Sequence, residues 1–281
     1  MKKLIFRLAN LIYRATPWQP VRQLYFDSYA RLVRNRRVQT TIDDIALDLD
    51  LGEAIDLAVY LQQYEPDVRE GMLRITRPGM TVFDIGANVG AHALVFAKLV
   101  GREGKVFAFE PTAYAFEKLQ KNAALNPALN VELVHIALSD KPEPPREVNF
   151  RASWRTDGSR ADGMSMVEFQ TLDTWSRMRG IDRLDVIKID VDGNEYVVFN
   201  GARETIARFR PTFLMEVAGL HFDDENRNPF AILEGLGYRF FHLKERRDVT
   251  LDELRSRLPK NDPGMSISMN ILASPGPQHS S

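Results

Sequence analysis

Val82 to Gly90 reads VFDIGANVG, and twenty residues past Gly90 a second apolar run, VFAFEP, delivers Glu110 and Pro111. A buried strand that brings an acidic residue and a glycine turn into a helix, followed by a second strand ending in a carboxylate, is how a Rossmann-like sheet holds a nucleoside. The two stretches predict an α/β fold and an adenosine cofactor.

The glycine spacing bears on which cofactor. A dinucleotide site uses GxGxxG so that backbone amides approach a pyrophosphate. Here the turn runs Gly86, Ala87, Asn88, Val89, Gly90, with no paired GxG and with Asp84 two residues before the first glycine. An acid in that place repels a pyrophosphate but suits the ammonium of S-adenosyl-L-methionine. Glu110, at the tip of the second strand, is placed to accept hydrogen bonds from both ribose hydroxyls. A nicotinamide or flavin nucleotide, or a glycine turn that only packs, are the alternatives.

The 281 residues and 44% hydrophobic content accommodate one large α/β domain with an N-terminal element. A net charge of -1 gives no global argument for nucleic acid. The chain has no cysteine, which excludes disulfides, thiolate zinc sites and a cysteine nucleophile.

Charge is uneven near the start. Lys2, Lys3, Arg7, Arg14, Arg22, Arg31, Arg34, Arg36 and Arg37 face only Asp27 in the first forty residues, and an acidic stretch containing Asp43, Asp44, Asp48, Asp50, Glu53 and Asp56 follows. Leu4, Ile5, Leu8, Leu11 and Ile12 keep helical spacing, so residues 1–40 could lie on an anionic membrane surface; the alternative is a basic helix packed on the acidic segment or on a second subunit. Arg7, Asn10 and Arg14 break the apolar run and no small-residue cleavage site follows, which argues against secretion; a cytoplasmic location is the expectation. Residues 1–64 are thus expected to form a helical extension, 65–274 the catalytic domain, and 275–281 a disordered tail.

Within the domain, apolar runs bounded by turn signals recur at Thr81 to Ile85, Lys105 to Phe109, Val131 to Ala137, Asp185 to Ile189, Thr212 to Glu216, Tyr238 to Leu243 and Met269 to Ala273, with helical patterns such as Ala113 to Leu125 and Glu195 to Phe209 between them. A helix from about Asp67 to Thr76 is expected to cover the sheet edge or the cofactor. The alternation predicts a mostly parallel, seven-stranded sheet with helices on both faces. Lys141 to Gln170 departs from it, and reads equally as a lid or as a β-hairpin on the sheet edge. Trp154 and Arg155 within it could stack on a sugar or hold an acidic group.

Ligands of such sheets sit at the carboxyl ends of the strands. The fourth strand runs DVIKID into VDGNE, and the spacing of Asp192 and Glu195 matches a capping box, leaving Asp190 for the methionine part of the cofactor or the substrate. A calcium loop starting at Asp190 fails because Glu195 stands where glycine is needed and Gly201 where glutamate is needed, so no metal is expected. An alcohol acceptor requires a base. Glu216 ends the fifth strand, and His221, five residues later, is the first choice because an unperturbed imidazole titrates near neutrality; the alternative is that it packs or caps the next helix. His92 and His135 read as core groups supporting the site, and His242 as pointing outward.

The motifs DIGANVG, FAFEP followed by Leu119, Asn122 and Asn126, then HIALSD, TLDTW, VIKIDVDGNE and PTFLMEV, in that order, resemble the FkbM-type methyltransferases from about Glu65 to Ala273. The resemblance implies a Rossmann-like, S-adenosyl-L-methionine-dependent enzyme that methylates hydroxyl oxygens on sugars or polyketides. It implies that Asp84, Gly86, Asn88 and Gly90, with Ala87 between them, line the methionine end, that Glu110 beside Pro111 holds the ribose, that Ala137 and Leu138 flank the adenine, and that Asp190 and Glu216 sit at the reacting end. Asp192 departs from the family's usual glutamate while keeping its charge. The reading is O-methylation of a hydroxyl on a saccharide, glycolipid or secondary metabolite, with a small molecule or glycan as partner and no nucleic acid. The alternatives are N- or carboxyl-methylation, a cofactor-binding scaffold without turnover, and, more distantly, a dehydrogenase.

Overall fold

The computed structural model describes residues 30–33, 36–156, 160–259 and 267–276. The chain divides into two compact units, one drawn from residues 1–64 and 149–163, the other from 65–148 and 164–281.

In the first unit, β1 (Arg37–Ile42) and β2 (Ile45–Asp50) pair antiparallel, with Thr40 opposite Leu47 and Ile42 opposite Ile45. Ile45, Leu47 and Leu49 are buried while the residues between them are not, the period of two that a half-buried strand requires. Asp43 and Asp44 form the two-residue turn with φ of 50° and 62°, a left-handed pair that short polar side chains tolerate. Helix α1 (Ala54–Tyr60) follows, and Thr156 donates its amide to the Gly52 carbonyl at 2.9 Å. The expectation of an all-helical extension is therefore corrected for residues 37–50: the alternation in IALDLD outweighs the charge pattern. The amphipathic run from Leu4 to Ile12, and most of the basic stretch, lie outside the described residues. No helix among the described residues is long and apolar enough to cross a membrane.

The second unit begins with α2 (Pro66–Ile75) and continues β3 (Thr81–Ile85), α3 (Ala91–Val100), β4 (Lys105–Phe109), α4 (Ala113–Ala124), β5 (Val131–Val134) and β6 (Ala137–Leu138). Two long strands, β7 (Glu143–Trp154) and β8 (Arg160–Gln170), come next in the chain, with their residues 149–154 and 160–163 belonging to the first unit; then follow α5 (Leu172–Met178), β9 (Val186–Ile189), α6 (Glu195–Asn200), α7 (Arg203–Phe209) and β10 (Thr212–Ala218). The remaining elements are α8 (Pro229–Gly235), β11 (Tyr238–His242), β12 (Arg247–Val249), α9 (Leu251–Arg257) and β13 (Ser268–Pro275).

Eight of these strands form one sheet in the order β12-β11-β13-β10-β9-β3-β4-β5. The run from β10 to β5 is parallel, and β13 inserts antiparallel between β10 and β11. The seven expected strands are all present, and the short β12 adds an edge. Chain order reverses between β9 and β3, which makes the carboxyl ends of these two neighbours the switch point where α/β sheets bind ligands.

Both faces of the sheet are covered, so the inner residues of its central strands β3 and β9 are apolar except for Asp84 in β3 and Lys188 in β9. On one face Trp175 of α5 meets Phe83, Phe107 and Phe109 edge-on at centroid distances of 5.6, 5.2 and 4.7 Å. Such ring pairs contribute about 0.5–1.5 kcal/mol each beyond area burial. On the other, Val68 and Met72 of α2 and Phe96 of α3 pack with Val82, Val106 and Leu214. Helix α2 thus lies over the sheet rather than along its edge.

Three further expectations change. The excursion 141–170 is a β-hairpin, since five intervening residues cannot make a parallel crossover, and it belongs to a separate sheet ordered β6-β8-β7 rather than to the main sheet's edge. The helix expected from Glu195 to Phe209 breaks into α6 and α7 at Gly201, where a Cβ would lie 2.0 Å from the Ser139 carbonyl oxygen. The tail is ordered as far as Gly276, whose amide donates to the Gly237 carbonyl at 2.8 Å, and the rest of it lies outside the described residues.

Gly86 has the tightest requirement near the switch point. Its φ is +79°, and an added Cβ would stand 1.9 Å from the Asp190 carbonyl oxygen. Gly86→Ala is expected to lower unfolding free energy by about 3 kcal/mol or more in urea titration. Gly79→Ala shares the φ of +79° but has nothing within 4 Å, and should cost only the left-handed backbone term of about 1–2 kcal/mol.

Candidate active site

The turn after β3 is fixed to β4 before any ligand is considered. Gly86 and Ala87 both donate their amides to the Phe109 carbonyl, at 3.0 and 2.9 Å. Asn88 takes φ of 49° and donates its amide to Glu110 Oε2 at 2.9 Å. Glu110 Oε1 accepts from the Thr112 amide at 2.8 Å and from its hydroxyl at 2.5 Å. Burial raises the Glu110 carboxyl above its ordinary value, partly offset by the Thr112 and Asn88 hydrogen bonds. A carboxylate has about four lone-pair sites, so three donors hold it rigidly and leave capacity for a hydroxyl. Gly90, at φ +88°, starts α3 beneath Leu119.

Between β3 and β9 lies a buried charge cluster. Lys188 is 4% exposed; its Nζ donates to the Gly86 carbonyl at 3.1 Å and stands 3.4 Å from Asp84 Oδ1 and 3.5 Å from Asp190 Oδ2. Burial by itself would push the Lys188 ammonium down, but Asp84, Asp190 and Glu65 outweigh it and hold it above its ordinary range. Asp84 is fully buried with Lys188 as its cationic partner; burial lifts it to about 6 against the lowering influence of Lys188. Beside the cluster opens a small cleft whose polar lining is Glu65, Lys188, Asp190, Glu216 and Asn270. Burial also raises Glu216, with Asp190 and Glu195 adding to the rise and a hydrogen bond from Ser268 opposing it. Three carboxyl groups thus share the wall with one cation, and burial keeps the Glu65 carboxyl protonated near neutrality.

Lys188 and Glu65 were not singled out in the sequence. The signal for Lys188 is a charged residue inside the otherwise apolar VIKI strand, and for Glu65 an acid placed directly before the proline that opens α2.

His221 stands apart from this lining. It is 4% exposed, its Nδ1 accepts from the Ala218 amide at 3.0 Å, and its Nε2 donates to Glu195 Oε2 at 2.8 Å. Both ring nitrogens are engaged, so in this geometry the imidazole positions Glu195 rather than facing the cleft. Burial alone would raise Glu195, but hydrogen bonds from His221 and from the Val191 amide hold it below its ordinary value. Asp192 is not the helix cap: α6 starts at Glu195 with Asn194 before it, and Glu195 Oε1 accepts from the Val191 amide at 3.1 Å. Asp192 instead sits in the preceding turn at φ 50°.

The other histidines and the adenine-side residues are placed as follows. His92 is buried in α3 with Nε2 3.4 Å from Glu65 Oε2, and burial pushes its imidazole well below the usual value. His135 is exposed rather than in the core, because β5 ends at Val134; it stacks on Phe116 at 4.3 Å and approaches the Pro111 carbonyl at 3.2 Å. His242 is buried rather than outward, and accepts from the Glu245 amide at 3.2 Å. Ala137 and Leu138 form β6, opposite Phe169 and Gln170. The Trp154 side chain lies outside the described residues.

The buried lysine, the glycine turn and the acids Asp84 and Asp190 lie together at the switch point, the position where α/β sheets bind ligands. The family described as Methyltransferase FkbM domain matches residues 84–240, more than half of the chain, and this chain belongs to it. It is similar to the 2-O-methyltransferase NoeI of Sinorhizobium fredii, with 28% identity over 155 residues covering 48% of this chain and 63% of NoeI. It is similar to the hexuronic acid methyltransferase AglP of Haloferax volcanii, with 26% identity over 137 residues covering 49% of this chain and 56% of AglP. The chain thus spans less than two thirds of the length of these curated relatives. Among solved structures, the FkbM methyltransferase of Methylobacillus flagellatus KT aligns over 93% of this chain and 62% of its own, at 16% identity and a TM-score of 0.43.

Two outcomes follow from these charges. Lys188→Met is expected to destabilise the fold by about 3–5 kcal/mol in urea titration, because it strands Asp84 in the interior. The carboxyls of Glu65 and Asp84, raised to about 8 and about 6, bind protons more tightly folded than unfolded. Their contribution is fully present at about pH 4 and is lost as pH rises through about 6 and then about 8. Unfolding free energy measured across that window should fall with pH, and Glu65→Gln should flatten the upper part of the fall.

Proposed function

We propose that this chain is an S-adenosyl-L-methionine-dependent methyltransferase acting on a hydroxyl oxygen of a saccharide, glycolipid or secondary metabolite. The observation that carries the reading is the pair of acids just past strand ends at and beside the switch point: Asp190 on the cleft wall, and Glu110 held by three donors with capacity left for a hydroxyl. Carboxyl groups of Asp190, Glu216 and Glu65 on one cleft wall suit a cation and disfavour a pyrophosphate. The absence of a GxG pair agrees with this. The known activities of NoeI and AglP, one an O-methyltransferase and the other acting on a hexuronic acid, support a saccharide-like acceptor.

On this reading Asp190 and the turn Gly86 to Gly90 hold the amino-acid end of the cofactor, with Asp84 buried behind them against Lys188, Glu110 holds the ribose hydroxyls, and Ala137, Leu138 and Pro111 border the base. When bound, the cofactor supplies a methyl group on a sulfonium, the electrophile of an in-line displacement. The chain's own contribution is chiefly to fix the acceptor at near-attack distance. Glu216 and Asp190, both on the cleft wall, are the groups able to receive the acceptor's proton, and burial already raises Glu216 toward the range useful to a general base. His221 acts through Glu195, keeping the strand end of β10 and the loop after β9 in one arrangement.

Isothermal titration with S-adenosylmethionine, S-adenosylhomocysteine and NAD tests the cofactor. The first two should bind and NAD should not, and Glu110→Ala should weaken binding at least about tenfold, equivalent to about 1.4 kcal/mol. Preference for NAD would overturn the reading. With a hydroxylated acceptor found by screening, Glu216→Gln should cut turnover by about a hundredfold or more with cofactor affinity unchanged. His221→Ala should instead show chiefly as lost stability, about 3 kcal/mol in urea titration, since it leaves Glu195 buried without its partner.

A further inference from the structure

Glu65 stands directly before α2 in a left-handed conformation, φ 39° and ψ 66°. Residues with side chains hold that conformation only where their surroundings dictate it, and the following Pro66 disfavours the right-handed helical alternative. Although Glu65 occupies the helix-capping position, its side chain makes no capping hydrogen bond. The carboxylate lines the cleft instead, with Oε2 buried and without a hydrogen-bond partner. The charged and titratable groups around it are Asp67 on its own helix, His92 on α3, Lys188 and Asp190 at the end of β9, and Glu216 on β10. His92 is neutral, because burial pushes it well below its ordinary value. Lys188 already serves Gly86, Asp84 and Asp190. The strained backbone therefore carries a carboxylate that neither caps its helix nor completes an internal hydrogen bond at Oε2.

We propose that Glu65 is a cofactor-binding residue whose carboxylate takes a positive centre of S-adenosylmethionine, the ammonium or the sulfonium, on the cleft wall it shares with Asp190 and Glu216. The proposal rests on the cofactor reading above and extends it to an element upstream of the glycine turn. It has a consequence in protons. Burial, then Asp190, raises the free carboxyl to about 8, so it is protonated near neutrality. A cation beside Oε2 favours the carboxylate, and the Glu65 proton passes to the buffer as the cation arrives.

The test is isothermal titration of the full chain with S-adenosylmethionine and S-adenosylhomocysteine at about pH 7, in two buffers of different ionisation enthalpy, which counts the protons exchanged. Glu65→Gln and Glu216→Gln are measured alongside. Glu65→Gln reproduces the neutral side chain of the free protein, and an unchanged thermal midpoint at that pH would verify that it folds. Proton release by the wild type that disappears in Glu65→Gln, with affinity reduced about tenfold, supports the proposal. A loss larger for S-adenosylmethionine than for S-adenosylhomocysteine places Glu65 at the sulfonium, and equal losses place it at the ammonium; either supports it. Wild-type affinity and proton count in Glu65→Gln overturn it, as does a release that disappears only in Glu216→Gln. Failure of the wild type to bind either ligand removes the cofactor reading itself, and this proposal with it.

Discussion

The buried ammonium of Lys188 holds the candidate site together. It reaches the Gly86 carbonyl and lies within ion-pair distance of Asp84 and Asp190, so one cation connects the first strand, the turn that follows it and the strand beside it. Removing an ammonium from water is unfavourable, and it remains charged here only because several carboxylates surround it. The same cation lets those carboxylates come together: without it, mutual repulsion and desolvation would force them to protonate or separate. The close approach of Gly86 to the Asp190 backbone, which excludes any Cβ, is the steric side of the same junction.

Two kinds of acid result. Glu110 is held by three donors from Asn88 and Thr112, so its geometry exists before a ligand arrives and binding need not order it. Asp84 and Oε2 of Glu65 are short of donors, and burial raises both groups. The first arrangement suits neutral hydroxyls, which need an oriented acceptor. The second suits a cation, whose arrival displaces the proton that burial keeps on Glu65. Both lie at the carboxyl ends of neighbouring strands, where a molecule carrying a ribose and a sulfonium amino acid would meet them in turn.

The His221–Glu195 pair illustrates a limit of local reading. A histidine five residues beyond a strand-ending glutamate is a reasonable base as long as its ring is free. Folding brings Glu195 from a helix twenty-six positions earlier against Nε2, while the Ala218 amide occupies Nδ1. The ring then supports the loop rather than facing the cleft. In the same way Glu195 spends its other oxygen on the Val191 amide, which removes the capping role expected of Asp192.

Much of the architecture was legible because buried strands are short apolar runs between turn residues. Thr81 to Ile85 and Lys105 to Phe109 form strands with the bounds read from the sequence, and Asp84, Glu110 and Asp190 lie at or just past strand ends as expected, whereas Glu216 lies inside β10, which continues to Ala218. The hairpin at residues 37–50 was legible in principle, since IALDLD alternates, but charge of one sign drew the reading toward a helix. Other features depend on residues distant in sequence and have no local signature. The engagement of His221, the exposure of His135 past the end of β5, the break at Gly201 against Ser139, and the convergence of Glu65 with Asp190 and Glu216 all arise from pairs tens to more than a hundred residues apart. The sequence by itself determined which strands exist and which acids sit at their ends, because periodicity and turn chemistry are local. Only the tertiary structure decided which acids share Lys188 and which ring nitrogens are occupied, because burial and charge pairing depend on what the fold places beside each group.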